Sequence, residues 1–134
     1  MLFRSHAAVV YVAVVDLPAI AGYYTLSQFS IDLVRLPEDL ARRLPRYPVV
    51  PTTLLGRLAV ASTFQGQGLG ETLLFDALRR SLIQSAHIAS AGVIVDAKDA
   101  KAAAFYGRYG FSQILGADHR LFLYMKTIER MFRS

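Results

Sequence analysis

The run AAVVYVAVV, Ala7 to Val15, carries no charge and is rich in β-branched side chains, as a buried strand should be. DLP at 16–18 reads as a turn. IAGYYTLSQFSIDLV, Ile20 to Val34, then reads as a second strand folding back on the first in a hairpin. The next segment, RLPEDLARRLPRYPVVP, holds four of the five prolines of the chain. It reads as a loop with a short helical turn around Glu38 to Leu44. TLLGRLAV, Thr53 to Val60, is a third strand, in which Gly56 marks a bulge or a close backbone approach.

The pattern then changes period. From within FQGQGLGE onward, apolar residues recur at Leu69, Leu73, Leu74, Ala77, Leu78 and Leu82, with Ser81 on the same face. That spacing predicts an amphipathic helix, with Glu71, Arg79 and Arg80 off its apolar face. AGVIVDA, Ala91 to Ala97, is a fourth strand. KDAKAAAFYGRYG, Lys98 to Gly110, is a second helix, with Gly110 as its stop signal. FSQIL and LFLYMKTI follow as two strands joined by GADHR. The order β-β-loop-β-α-β-α-β-β predicts a mixed α/β fold around one sheet, and 134 residues suit a single domain, 1–134.

Composition narrows the chemistry. The chain has no cysteine, which excludes disulfides, zinc–thiolate sites and thiol nucleophiles. His6, His87 and His119 stand apart, without metal-ligand spacing, and no G-x-S-x-G elbow is present. The N-terminal apolar run imitates a signal peptide, but Asp16 and Pro18 interrupt it. It also falls short of the roughly 20 apolar residues of a membrane span. A cytoplasmic protein without a membrane partner is expected. The formal net charge is +5 and the pI about 9.8, a balance that favours acidic partners. Arg35, Arg42, Arg43 and Arg46 form the densest basic cluster.

A strand, three glycines within five positions and a helix start make an anion site. Glycine lets successive N–H groups turn inward, and the helix N-terminus adds unpaired donors. The P-loop pattern fails, because no Gly-Lys-Ser/Thr follows. The dinucleotide pattern G-x-G-x-x-G fails as well, since the third position falls on Glu71 or Leu73. What remains is Gln65-Gly66-Gln67-Gly68-Leu69-Gly70, of the form Q/R-x-x-G-x-G/A. Further on, Ala102, Phe105, Tyr106 and Tyr109 share one helical face, which suits packing as well as chemistry.

Two segments together, LLGRLAVASTFQGQGLGETLL and VIVDAKDAKAAAFYGRYGF, resemble the acetyl-coenzyme A site of the GNAT N-acetyltransferases, over residues 54–111. The resemblance implies a central mixed β-sheet flanked by helices, with acetyl-CoA in the cleft between two splayed parallel strands. It implies that the backbone from Gln65 through Gly66, Gln67, Gly68, Leu69 and Gly70 to Glu71 holds the pyrophosphate. Leu58, Ala59 and Val60 would bond the pantetheine arm, with Ala102 and Phe105 beside it. Tyr106 aligns with the tyrosine that protonates the departing thiolate. Asp99 stands where many members carry Asn, and would cap the helix, contact pantetheine, or both.

LLGRLAV, FYGRYGF and GYYTLS before a Pro/Arg-rich segment are similar, more narrowly, to the GNAT toxins of bacterial toxin–antitoxin operons. Those acetylate the amino group of an aminoacyl-tRNA and are neutralised by a small antitoxin, usually of ribbon-helix-helix type. This likeness implies tRNA contacts from Arg35, Arg42, Arg43, Arg46 and Arg57, together with Arg79, Arg80 and Arg108, and a homodimer. A GNAT enzyme for a protein or small-molecule amine, and a non-catalytic acetyl-CoA-binding module, are the alternatives. Members of the family begin with a strand and two helices before the first hairpin, so the domain is expected to be N-terminally shortened.

Overall fold

The computed structural model describes residues 8–16, 19–32, 35–36, 38–42, 49–116 and 119–133. Strands β1 (Val9–Asp16) and β2 (Ala19–Asp32) form the expected hairpin. A single helical turn, α1 (Glu38–Ala41), precedes β3 (Val49–Val60). Helix α2 (Leu69–Gln84), β4 (Gly92–Asp96) and α3 (Ala100–Gly107) come next. The chain closes with β5 (Ser112–Gln113), β6 (Arg120–Tyr124) and α4 (Met125–Met131). One six-stranded sheet, in the order β1-β2-β3-β4-β6-β5, holds them together. Every pairing is antiparallel except β3 with β4.

Three sequence expectations need correction. The third strand starts at Val49 rather than Thr53, because β2 is long enough to pair with it back to Asp32↔Val49. FSQIL contributes only Ser112–Gln113 as strand, at the sheet edge. LFLYMKTI is not one strand: it turns into α4 at Met125. The sheet partner runs out there, since Gly92↔Tyr124 is the last pair with β4. Met125 and Ile128 are buried and Met131 half-buried, a spacing of three that a helix turns to one side and a strand would split between faces.

Both faces of the sheet are packed, in different places. On one, α2 buries Leu73, Leu74, Ala77 and Leu78 in a cluster that includes Tyr24, Leu26, Leu55, Val93 and Val95. Each fully buried leucine contributes about 1.5–3 kcal/mol. On the other, Leu36 joins Ile31, Val50, Ile94, Ile114, Phe122 and Tyr124. β4 is short, apolar and buried from Gly92 to Val95, as a central parallel strand should be.

Two backbone features of β3 stand out, one towards β2 and one towards β4. Thr25 pairs with Arg57 while Leu26 pairs with Leu55, so Gly56 is the extra residue of a bulge. A Cβ there would come within 2.7 Å of Thr25 Oγ1, which is why the position takes glycine. In addition, β3 and β4 pair only through Thr53↔Val93, Leu54↔Ile94 and Leu55↔Val95. Beyond Leu55, β3 runs on to Val60 without a β4 neighbour, and a gap separates the two strands.

Candidate active site

The opening in the sheet leads into two cavities. The larger, about 530 Å³, is lined by Leu58 and Val60 of β3, by Phe64, Gln65, Gly66, Gly68, Leu69 and Gly70 of the glycine loop and the start of α2, and by Lys98, Asp99, Lys101, Ala102, Phe105 and Tyr106. The smaller, about 310 Å³, is lined by Tyr23, Leu55, Gly56, Arg57, Leu58, Ala59, Asp96, Lys98, Ala102 and Tyr106. Leu58, Lys98, Ala102 and Tyr106 belong to both. The two spaces therefore adjoin along these four residues, Tyr106 among them.

The glycine loop does locally what its residues dictate. Gly66 and Gly68 have φ of 81° and 77°, in the left-handed region that other residues avoid. Gly68 is also the N-cap of α2 and has no side chain to bond the first turn. Among the described residues, no backbone N–H from Gly66 to Glu71 donates a hydrogen bond; the first to do so is Thr72, to Gly68 O at 3.1 Å. Gln65 braces the loop, its Nε2 donating to Val60 O at 3.1 Å. The result is a run of donors without a partner among the described residues at the positive end of a 16-residue helix, where Gly66, Gly68, Leu69 and Gly70 line the cavity. A diphosphate fits the chemistry of this wall.

The opposite wall is α3. Asp99 caps it, accepting from Ala102 N–H at 2.8 Å. Tyr106 sits near the end of α3, buried, with Phe105 and Phe111 edge-on at 5.2 and 5.4 Å. Its hydroxyl makes no hydrogen bond among the described residues. Burial raises its pKa above the ordinary phenol value, so the group is a protonated donor at neutral pH. Tyr109, one turn on, has its pKa raised chiefly by donating to the Glu71 carboxylate, which ties the end of α3 to the start of α2.

Most of the residues picked from sequence converge here. Gln67 and Glu71 are the exceptions in the loop: neither lines the cavity, and the Glu71 side chain is engaged by Tyr109. Ala59 belongs to the smaller cavity. Arg57 lines that cavity too, whereas the other arginines are dispersed. Arg35 pairs with Asp32 at 3.7 Å, and Arg42 lies exposed beside α1. Arg43 and Arg46 lie outside the described residues, as does His6. Arg80 donates to Tyr24 Oη at 2.9 Å and to Asp76 Oδ2 at 3.3 Å, and covers the Tyr11 ring at 4.2 Å. Arg108 lies over Phe105 and Tyr109, at 5.8 and 5.9 Å.

Sequence reading passed over Lys98, Lys101, Phe64, Tyr23 and Asp96, all of which line the cavities. A signal existed for the lysines: both flank the cap of the second helix, beside the strand end that faces the glycine loop. Among the described residues, no group of His, Asp and Glu is arranged to hold a metal ion. Among them, too, no helix is long and apolar enough to cross a membrane.

Residues 51–121 match the model of the GNAT acetyltransferase domain. The chain is 28% identical over 123 residues to the probable toxin TacT of Sinorhizobium fredii, covering 87% of this chain and 68% of that protein. It is 36% identical over 92 residues to the tRNA-acetylating toxin of Mycobacterium tuberculosis, covering 69% of this chain but only 54% of that protein. Among solved structures, AtaT complexed with acetyl-methionyl-tRNAfMet superposes with a TM-score of 0.88 at 31% identity, over 97% of this chain and 78% of that one. AtaTR bound with AcCoA gives 0.81 at 32% identity, over 97% and 77%.

Proposed function

The chain belongs to the GNAT acetyltransferase family, and on that premise we propose that it transfers the acetyl group of acetyl-CoA to the amino group of an aminoacyl-tRNA. The observation that carries this is the adjoining of two cavities along residues that include Tyr106, one walled by free backbone donors and one by side chains. The M. tuberculosis relative is a tRNA-acetylating toxin, and AtaT has been solved with acetyl-methionyl-tRNA, which favours this acceptor over a protein or small amine.

In this reading the amides from Gly66 to Gly70 take the pyrophosphate. The β4-side edge of β3 at Leu58, Ala59 and Val60, which has no strand beside it, takes the pantetheine arm. Phe105 and Ala102 exclude water from one side. Acetyl-CoA supplies an activated acetyl group as a thioester. The acceptor nitrogen bonds the acetyl carbon, the carbon–sulfur bond breaks, Tyr106 gives its proton to the sulfur, and the proton lost by nitrogen passes to solvent. Arg35, Arg42, Arg43, Arg46 and Arg57 supply positive charge for the tRNA backbone. A ribbon-helix-helix antitoxin, a cytoplasmic location and a homodimer complete the proposal.

The test is incubation with acetyl-CoA and charged tRNAs, with mass spectrometry of the aminoacyl end. Acetylated aminoacyl-tRNA is the expected product. If calorimetry shows acetyl-CoA binding but no charged tRNA is modified, the acceptor assignment is wrong. If acetyl-CoA does not bind, the whole reading is wrong.

A further inference from the structure

Three charged residues line the smaller cavity: Arg57 from β3, Asp96 at the end of β4, and Lys98 just beyond it. They are not equivalent. Asp96 is paired across the strands with Arg120, whose Nε donates to Oδ1 at 2.7 Å and whose Nη2 donates to Oδ2 at 3.2 Å. This two-point contact is the geometry in which arginine holds a carboxylate best. The Arg120 guanidinium also lies 4.7 Å from the centre of the Phe29 ring, which fixes it from another side. Arg57 and Lys98 are exposed and have no ion pair among the described residues.

The bulge makes Arg57 part of this wall. With Gly56 inserted, Leu55, Gly56, Arg57 and Leu58 all contribute to the cavity, and Arg57 N–H is held by Thr25 Oγ1 at 3.0 Å. A bulge re-aims the side chain that follows it. Lys98 reaches the cavity from across the gap, beside Tyr106.

With its carboxylate engaged by Arg120, the cavity offers two cations without an ion-pair partner among the described residues, and no such anion lines it. A lysine side chain or a basic peptide would meet like charge there. An amine carried next to a phosphate would meet opposite charge. We infer that Arg57 and Lys98 clamp a phosphodiester borne by the acceptor beside its amine, and that Arg120 keeps Asp96 from opposing it. Arg57 offers a planar fork and Lys98 a point charge, a pairing that grips a phosphate while leaving its neighbour free to approach Tyr106. The inference rests on the acetyl-transfer reading and names the side chains that hold the nucleotide end of its acceptor.

The test compares two acceptors built on the same set of amino acids: aminoacylated CCA trinucleotides, which carry phosphodiesters, and aminoacyl methyl esters, which carry none. Wild type should prefer the trinucleotides. Arg57→Ala and Lys98→Ala should each cut that preference about tenfold, mainly through KM, since a hydrogen bond to a charged group is lost each time. The slope of log affinity against log salt should fall by about one per residue removed. Arg120→Leu should raise KM for the trinucleotides, and adding Asp96→Asn should restore it; a merely structural role for Arg120 would not be rescued in this way. An unchanged preference in the Arg57 and Lys98 variants, or an equal loss on both acceptors, overturns the clamp and leaves acetyl transfer standing. If wild type acetylates neither acceptor the clamp is overturned, and the acetyl-transfer reading falls with it only if acetyl-CoA also fails to bind.

Discussion

Two helices begin at the larger cavity, and they begin in opposite ways. α2 is capped by Gly68, which has no side chain to bond the first turn, and its leading N–H groups stay free. α3 is capped by Asp99, whose carboxylate takes up the N–H of Ala102. Against an aspartate cap, a glycine cap costs a helix only about a few tenths of a kcal/mol, so α2 leaves its donors free at little loss of stability. The difference matches what each helix has to do. The α2 start is a binding surface, and its donors must wait for an anion. The α3 start is a foundation, and it must hold a helix whose cargo, Tyr106, lies almost two turns further on. Helix starts that face one cavity are thus told apart by whether the cap bonds them.

The largest expected effect tests the cargo. Tyr106→Phe keeps the ring and its contacts with Phe105 and Phe111 and removes only the proposed proton donor. Turnover should fall by about a hundredfold or more, the usual contribution of a positioned acid, with little change in the Kd for acetyl-CoA. Equal turnover of the two proteins would remove the acid role and leave α3 a packing element.

Closing the α2 start is the next test. Gly68→Asp would place a carboxylate among donors meant for a phosphate, at a φ of 77°. Like charges brought together cost several kcal/mol, so acetyl-CoA affinity should drop by about a hundredfold. Gly70→Ala is the control, since an added Cβ would meet Phe105 and Val60 only at an ordinary 3.9 Å. Titration calorimetry on the pair separates a closed anion site from a general intolerance of side chains. If both variants bind acetyl-CoA like wild type, the loop is a connector.

This contrast also explains what could be read from the sequence. The α2 start is a main-chain device, and main-chain devices leave glycine at fixed spacing: Gly66 and Gly68 had to be glycine for their φ, and the motif showed through. Strand β4 was equally plain, because a strand buried from Gly92 to Val95 is apolar throughout. The wall of the smaller cavity is a side-chain device. Asp96 and Arg120 are 24 positions apart and meet only through the β4–β6 register, so their pairing left no local trace. The C-terminal helix was hidden for another reason. Tyr124 ends a strand and Met125 starts a helix with no polar break between them, and the switch depends on β4 running out.

Opening the α3 start should have a smaller effect. Asp99→Ala leaves Ala102 N–H unbonded and should cost about 1 kcal/mol of stability, read from chemical denaturation. Asp99→Asn should cost less, because asparagine caps nearly as well. The sequence left two roles for this residue. If acetyl-CoA affinity falls further in Asp99→Ala than the loss of stability accounts for, and Asp99→Asn recovers it, Asp99 serves the ligand as well as the helix.

The smallest effect concerns pH, and it asks whether the Tyr106 proton is held by the fold. Burial raises the folded-state pKa of Tyr106 above the unfolded value of 10.0. A group of this kind contributes its full stability below pH 10.0, and that contribution is lost as pH rises from there through the folded pKa, because only the unfolded chain has released the proton. Wild type and Tyr106→Phe should therefore differ by a constant amount in stability up to about pH 10. Above it the difference should shift against wild type, by at most about 1.4 kcal/mol for each pH unit. Tyr24 gives the comparison. Burial raises its pKa too, and donation to Asp76 at 2.6 Å raises it further. The corresponding shift for Tyr24→Phe should continue to higher pH. A Tyr106 curve flat above pH 10 would mean that the phenol is solvated in the folded protein, and that α3 does not deliver a shielded acid to the junction of the two cavities.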